Sequence, residues 1–403
     1  MDAQAEKLTL PRSGFGSLLL RRLLARLQCG SVTVRLPDGS EILHRAGPGP
    51  QAMLVLHRWR AISRLLTSGD IGFAEAYLDG DWSSPDVTAL IELAARNQGA
   101  ITGTDRAVLP LRLIHRLLHR LRDNTRAGSR RNIEQHYDLG NEFYARWLDA
   151  GMSYSAAIFD DPEASLEDAQ VRRQDRIVEM LGIEPGMRVL EIGIGWGGLA
   201  ERLAAEGCHV TGVTLSPSQL GYAQQRLQAA GLGDKVDLRL QDYRDISGQF
   251  DRIVSIEMIE AVGEAWWPTY FRKLRDCLRP GGTIVLQSIT IADDRFESYR
   301  RGVDFIQRHV FPGGLLPSPS ALRSQAAAAG LDVPETQFFG QGYALTLMHW
   351  QRRFQAAWPA IEAMGFNVRF RKLWEYYLSY CEAGFRAGVI DVGLWRMQAA
   401  ESR

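Results

Sequence analysis

RVLEIGIGWGGLAERLAAEG, Arg188 to Gly207, reads as a strand, a glycine turn and a helix. Val189, Leu190 and Ile192 make a short apolar run suited to a buried parallel strand. Gly193, Gly195, Gly197 and Gly198 let the backbone bend tightly and let a ligand come close to it. Leu199 to Ala205 supplies the helix. Glu191 stands two residues before the first glycine, where a carboxylate can orient the turn or meet a ligand's amino group. A glycine turn alone is a weak signal, because several nucleotide folds have one.

The neighbours of the turn discriminate. CHVTGVTLSPSQL, from Cys208, ends its strand at Thr214-Leu215-Ser216. A dinucleotide fold expects an acid about 20 residues past the fingerprint, and none stands there. Ser216 then caps a helix with Pro217 in its first turn and Gly231 just past its end. Asp242 follows a strand over Val236–Leu240, FDRIVSIEMIEAVG opens a fourth strand at Phe250, and RPGGTIVLQSI, from Arg279, gives a turn and a fifth. This set resembles the class I S-adenosylmethionine (SAM) methyltransferases. The fold it implies is α/β, a Rossmann-like methyltransferase domain joined to a smaller N-terminal α+β domain. A nucleotide-free α/β core is the alternative.

The chain has 403 residues, room for two domains. Its formal net charge is zero, which argues against a nucleic-acid binder working by bulk charge. Cys29, Cys208, Cys277 and Cys381 show neither CxxC spacing nor a paired framework, so a reducing compartment and no metal site are expected. No stretch reaches the roughly 18 apolar residues that span a bilayer, and arginines interrupt SLLLRRLLARL, from Ser17. The expected address is cytoplasmic, peripheral at the inner face of the membrane.

Three segments are expected: an N-terminal α+β domain over 1–108, a basic amphipathic linker helix over 109–132, and a catalytic domain over 133–403. Leu19, Leu20, Leu23, Leu24 and Leu27 recur at helical spacing among arginines, as a packed helix or an interfacial one. SVTVRLPDGSEILHRAG, from Ser31, alternates around Asp38-Gly39 as a hairpin. Met53 to Trp82 reads as a strand, a helix, a turn at Gly69 and a second helix. In LPLRLIHRLLHRLRDNTR, from Leu109, an apolar stripe faces a basic one, which suits an anionic lipid surface or a solvated linker. FESYRRGVDFIQRHVFPGGLLPSPSAL, from Phe296, suits a lid over an apolar pocket. Phe338–Trp358 reads as a strand and a long helix, and Arg371–Gln398 as two aromatic-rich helices.

HYDLGN from His136, YS from Tyr154, GWGG from Gly195 and TLSPSQ from Thr214 combine with LQDYRD, FPGG, LMHW and YYLSYCEAGFRAG. Together they resemble the cyclopropane-fatty-acid synthase family, relatives of the mycolic-acid cyclopropane synthases, most tightly from about Ile133 to Arg396. The resemblance implies a lipid-binding N-terminal domain. It also implies methyl transfer from SAM to a cis double bond of an acyl chain, often one still in a phospholipid. Position by position, it puts Tyr154 and Ser155 over the methionine end of SAM and Gly193 and Gly195 against its backbone-facing side. Thr214, Leu215 and Gln219 fall to the ribose, Asp242 and Tyr243 to the adenine. These positions lie at the carboxyl ends of successive parallel strands, where open α/β sheets bind ligands.

An alkene that attacks a sulfonium methyl becomes a carbocation, which needs a dry pocket with aromatic walls, each worth roughly 0.5–2 kcal/mol. A base must then take a proton. Loss from the new methyl closes a cyclopropane ring; the other outcomes are a methylene or a shifted alkene. In the cyclopropane-forming relatives the resemblance makes that base a bound bicarbonate. Its holding set is altered here. Ala156 replaces a Cys, Gln287 a His, and Glu257 a glycine that lends its amide. Glu260 keeps the family acid, Ala261 replaces the His after it, and Tyr343 matches the family Tyr. The expectation is that the Glu257 carboxylate fills the bicarbonate volume and acts as the base, oriented by Glu260 and Tyr343. Two carboxylates so close disfavour joint ionisation. The alternative is a structural or solvated Glu257. Cys381 matches a family cysteine proposed as active, although a lone Cys in an aromatic helix is more often buried and inert.

The expected activity is therefore alkylation of cis double bonds in membrane phospholipids, with SAM as cofactor and a cyclopropane as the family's default product. The altered base site makes a methylene- or methyl-branched product the alternative, and a methyl branch implies a separate reductase. A methyltransferase for a soluble small molecule and an inactive lipid-binding protein are further alternatives. No nucleic-acid partner is expected, and a homodimer is left open.

Overall fold

The computed structural model describes residues 15–101 and 139–400. The linker over 109–132, and His136, Tyr137 and Asp138, lie outside them. A small sheet holds β1 (Ser31–Arg35), β2 (Glu41–Arg45), β3 (Gln51–Leu56) and β4 (Trp82–Ser83) in the order β2-β1-β3-β4. β1 and β2 form the hairpin around Asp38-Gly39, with Arg35 opposite Glu41. Their alternation buries Val32, Val34 and Ile42 on one face. The Arg60–Leu78 helix kinks at Gly69, whose φ of 62° suits a residue without a Cβ. Asp86 caps the Val87–Arg96 helix by accepting from the Ala89 amide at 2.8 Å, and that helix packs against the Val368–Arg386 helix.

The large sheet holds β5 (Arg188–Ile192), β6 (His209–Thr214), β7 (Val236–Leu240), β8 (Phe250–Ile256), β9 (Leu278–Ile291), β10 (Leu331–Phe338) and β11 (Ile390–Ala399). Its order is β10-β11-β9-β8-β5-β6-β7, with β11 antiparallel to both neighbours. The chain order reverses between β5 and β8, the crevice where such sheets bind ligands. There the amides of Gly193 and Ile194 donate to Val213 O at 2.9 and 3.2 Å, tying the glycine turn to β6. Gly197 lets two helices close together: a Cβ there would lie 2.9 Å from the Ala223 Cβ.

One expected element is corrected. Arg371–Gln398 contains one helix, Val368–Arg386, followed by β11. Gly388 at φ 67° turns the chain out of the helix. Val392, Leu394, Trp395 and Met397 are then buried between two strands and two layers. A strand buried on both faces loses its alternation and reads like a buried helix.

The insertion before β10 forms two short helices, Asp293–Tyr299 and Phe305–His309, and an irregular turn. Beside the sheet lies an aromatic core. Trp147 is fully buried, with ring centroids of Tyr154, Trp350 and Trp374 5.6–6.0 Å away, mostly edge to face. This core continues unbroken into Val34, Leu54 and Trp82 of the small sheet. Among the described residues no helix is long and apolar enough to cross a membrane.

Candidate active site

Glu257 follows directly on β8, at φ 48°. That left-handed conformation costs a residue with a Cβ roughly 1–2 kcal/mol. It is a conformation that glycine, without a Cβ, adopts freely. The Glu257 amide donates to Gln287 O at 2.9 Å and so ties the turn to β9. Oε1 accepts from the Ser155 hydroxyl (2.6 Å), the Ala156 amide (3.1 Å) and Gln287 Nε2 (2.7 Å). Oε2 accepts from the Tyr343 hydroxyl at 2.8 Å. Four donors, from the segment over 153–158, from β9 and from the Gly340–Ala363 helix, thus converge on one carboxylate. Gln170 was not singled out from the sequence, yet its Nε2 donates to Ser155 O at 2.8 Å and fixes that segment from behind.

Among the described residues Glu260 makes no hydrogen bond to Glu257, contrary to the expectation that it orients the carboxylate. Its Oε1 accepts from the Ile289 amide (2.6 Å) and the Ser288 hydroxyl (3.2 Å), because the turn after Met258 aims it at the end of β9. Burial, and next the Glu257 charge, raise its carboxyl to about 8. Folded Glu260 therefore keeps a proton that the unfolded chain sheds near 4.5. In that window the folded state binds more protons, so stability falls as pH rises. Glu260→Gln is expected to flatten this fall. The melting midpoint should drop by a few degrees less than in the unaltered protein between about pH 5 and 8. Equal slopes in thermal scans would refute the assignment.

Cys381 faces the same cavity, but burial first, then the charges of Asp304 and Glu257, push its thiol well up. It remains a thiol, without the thiolate that nucleophilic chemistry needs.

The cavity is about 2020 Å³, about twice the upper end for small-molecule sites. At one end it is lined by Gly193, Gly195, Thr214, Leu215, Gln219 and Tyr243. Thr214 donates to Gln219 Oε1 at 3.2 Å. Asp242, expected beside the adenine, is not on the wall; it caps the turn over Tyr243–Asp245 and pairs with Arg244 at 2.7 Å. Gln241 takes the wall position instead. Tyr154, Ser155, Glu257 and Tyr343 lie along the middle. Tyr154 bonds the Tyr377 hydroxyl at 2.8 Å, and Tyr343 stacks on Phe385 at 4.5 Å. The far end is apolar, with Leu24, Leu27, Val34, Leu54, Leu66 and Phe73. Phe311, Pro312 and Gly314 show that the insertion walls this cavity.

The turn end fits SAM. A Cβ added at Gly195 meets nothing within 4 Å, so the backbone there stands open to a ligand. The buried Glu191 has an oxygen, Oε2, with no hydrogen-bond partner. Polar groups close the ends of β5 and β6 as the cofactor requires.

The pattern of the family described as mycolic acid cyclopropane synthetase matches residues 124–395. The chain is 41% identical to the tuberculostearic acid methyltransferase UfaA1 of Mycobacterium tuberculosis, over 85% of this chain and 82% of that protein. It is 37% identical to the cyclopropane-fatty-acyl-phospholipid synthase of Escherichia coli, over 83% and 84% respectively. Mycolic acid cyclopropane synthase CmaA1, solved with SAH and CTAB, superposes with a TM-score of 0.63 at 29% identity, covering 67% of this chain and 98% of that one. The fold, the glycine-turn site and these likenesses agree: the chain belongs to the mycolic acid cyclopropane synthetase family and is a SAM-dependent, lipid-modifying methyltransferase.

Proposed function

We propose that the enzyme transfers a methyl group to a cis double bond in a phospholipid acyl chain, that hydride moves from the methylated carbon to the adjacent cationic carbon, and that Glu257 then takes a proton from the new methyl, leaving a methylene branch. One observation carries this reading: the Glu257 carboxylate is held by Ser155, the Ala156 amide, Gln287 and Tyr343. Bound SAM supplies an electrophilic methyl group. The protein's own residues do the rest. Gly193, Gly195, Thr214 and Gln219 hold the cofactor; Tyr154, Tyr343, Tyr377 and Phe385 wall the reacting carbon against water and stabilise positive charge. Glu257 Oε2 is the proton acceptor, and Tyr343 holds it in place. The Leu54 end of the cavity would take the rest of the acyl chain; its apolar lining supports lipid binding by the N-terminal residues. The relative at 41% identity is named for methyl transfer, not ring closure, which favours the branched product.

The ring is the second reading, favoured by the 37% identity to a cyclopropane synthase. Expression in a bacterium with unsaturated phospholipids and no cyclopropane synthase of its own separates them. Both products gain one carbon, so NMR of the extracted fatty acids decides. Olefinic methylene protons are expected. Upfield cyclopropane protons would overturn the branched product, and unaltered acyl chains would overturn the lipid substrate.

A further inference from the structure

Arg173 is only 4 % exposed and forms no ion pair among the described residues. Its Nε donates to Gln170 Oε1 at 3.1 Å, which fixes the plane of the guanidinium. The terminal nitrogens take no hydrogen bond among the described residues, and the side chain lines the cavity with Gln174, Gly193 and Gly198. A buried guanidinium stays charged, so an unpaired one demands an anion. Glu257, Asp149 and Glu191 together supply the field at Arg173, but none of them bonds its terminal nitrogens, and both Glu257 oxygens already take donors from elsewhere.

The same wall carries the opposite demand. Glu191 is 2 % exposed and its Oε2 has no partner. A buried cation with an open fork and a buried acid with an open oxygen therefore share one end of the cavity. An α-amino acid zwitterion satisfies both at once. A carboxylate matches the planar fork with two parallel hydrogen bonds, and an ammonium donates to the acid. We infer that Arg173 receives the α-carboxylate of the cofactor's methionine end, with Glu191 on its α-ammonium side. This rests on SAM as the cofactor and adds the residue that selects its amino-acid end.

The test is binding of three ligands to the full chain by calorimetry. S-adenosylhomocysteine carries both groups. 5′-Deoxy-5′-(3-aminopropylthio)adenosine lacks only the carboxylate, and 5′-methylthioadenosine lacks both. The unaltered protein is expected to prefer S-adenosylhomocysteine over the decarboxylated ligand by about ten- to a hundred-fold, the range for a charged hydrogen-bonded pair. Arg173→Met should erase that preference; Arg173→Lys should restore part of it. If Arg173→Met weakens all three ligands equally, or keeps the preference, the assignment is overturned. A preference below about three-fold in the unaltered protein overturns it without any variant. Failure of S-adenosylhomocysteine to bind at all would instead overturn the cofactor reading.

Discussion

Glu257→Gln is expected to lower turnover by roughly 10²–10⁴-fold, the usual contribution of a positioned proton acceptor. The change is close to isosteric. The amide oxygen can still accept from Ser155, the Ala156 amide and Gln287, where Oε1 does now. The amide nitrogen would face the Tyr343 hydroxyl, which can accept as well as donate. Folding and S-adenosylhomocysteine binding should therefore stay close to those of the unaltered protein, while the proton has no acceptor. Turnover is read by acyl-chain analysis, folding by the melting midpoint. Ordinary turnover with ordinary product would remove Glu257 from the chemistry.

Glu257→Gly is expected to lose as much activity. Glycine relieves the φ of 48°, worth roughly 1–2 kcal/mol, but the lost hydrogen bonds cost about 1–3 kcal/mol per buried donor, so the denaturation midpoint is expected to fall. The substitution leaves Ser155, the Ala156 amide, Gln287 and Tyr343 facing an emptied volume. Those donors suit a small oxyanion. Added bicarbonate should then recover turnover by about ten-fold or more, within the range that a general base contributes. A variant with no response to bicarbonate would show that these donors do not define a proton-acceptor site.

Much of this was legible in the sequence for local reasons. The turn at Gly193–Gly198 and the polar strand end at Thr214 are set by neighbouring residues, so both were readable. Glu257 and Tyr343 are 86 positions apart, and only the resemblance to a family placed them together. Strand β11 was misread because burial on both faces removes the period of two. Glu260 was given the wrong partner because its direction depends on the backbone after Met258, which no spacing encodes. Asp242 caps its own turn and pairs with Arg244 two residues on, a local contact that the resemblance did not indicate. Arg173 lies in LEDAQVRRQDRIVEML, a stretch whose many charges resemble those of a solvated helix. A signal was nonetheless present. Leu166, Ala169, Gln170, Arg173 and Ile177 fall on one helical stripe, and they are the buried side. Polar residues on such a stripe are worth asking about, because burying them without partners is costly.

The reaction of the unaltered enzyme in degassed, bicarbonate-free buffer, compared with the same buffer plus bicarbonate, bears most directly on Glu257 as the resident base. Equal turnover in both, beside a Glu257→Gly variant that needs the added anion, is the expected result. Turnover of the unaltered enzyme that collapses without bicarbonate would contradict it.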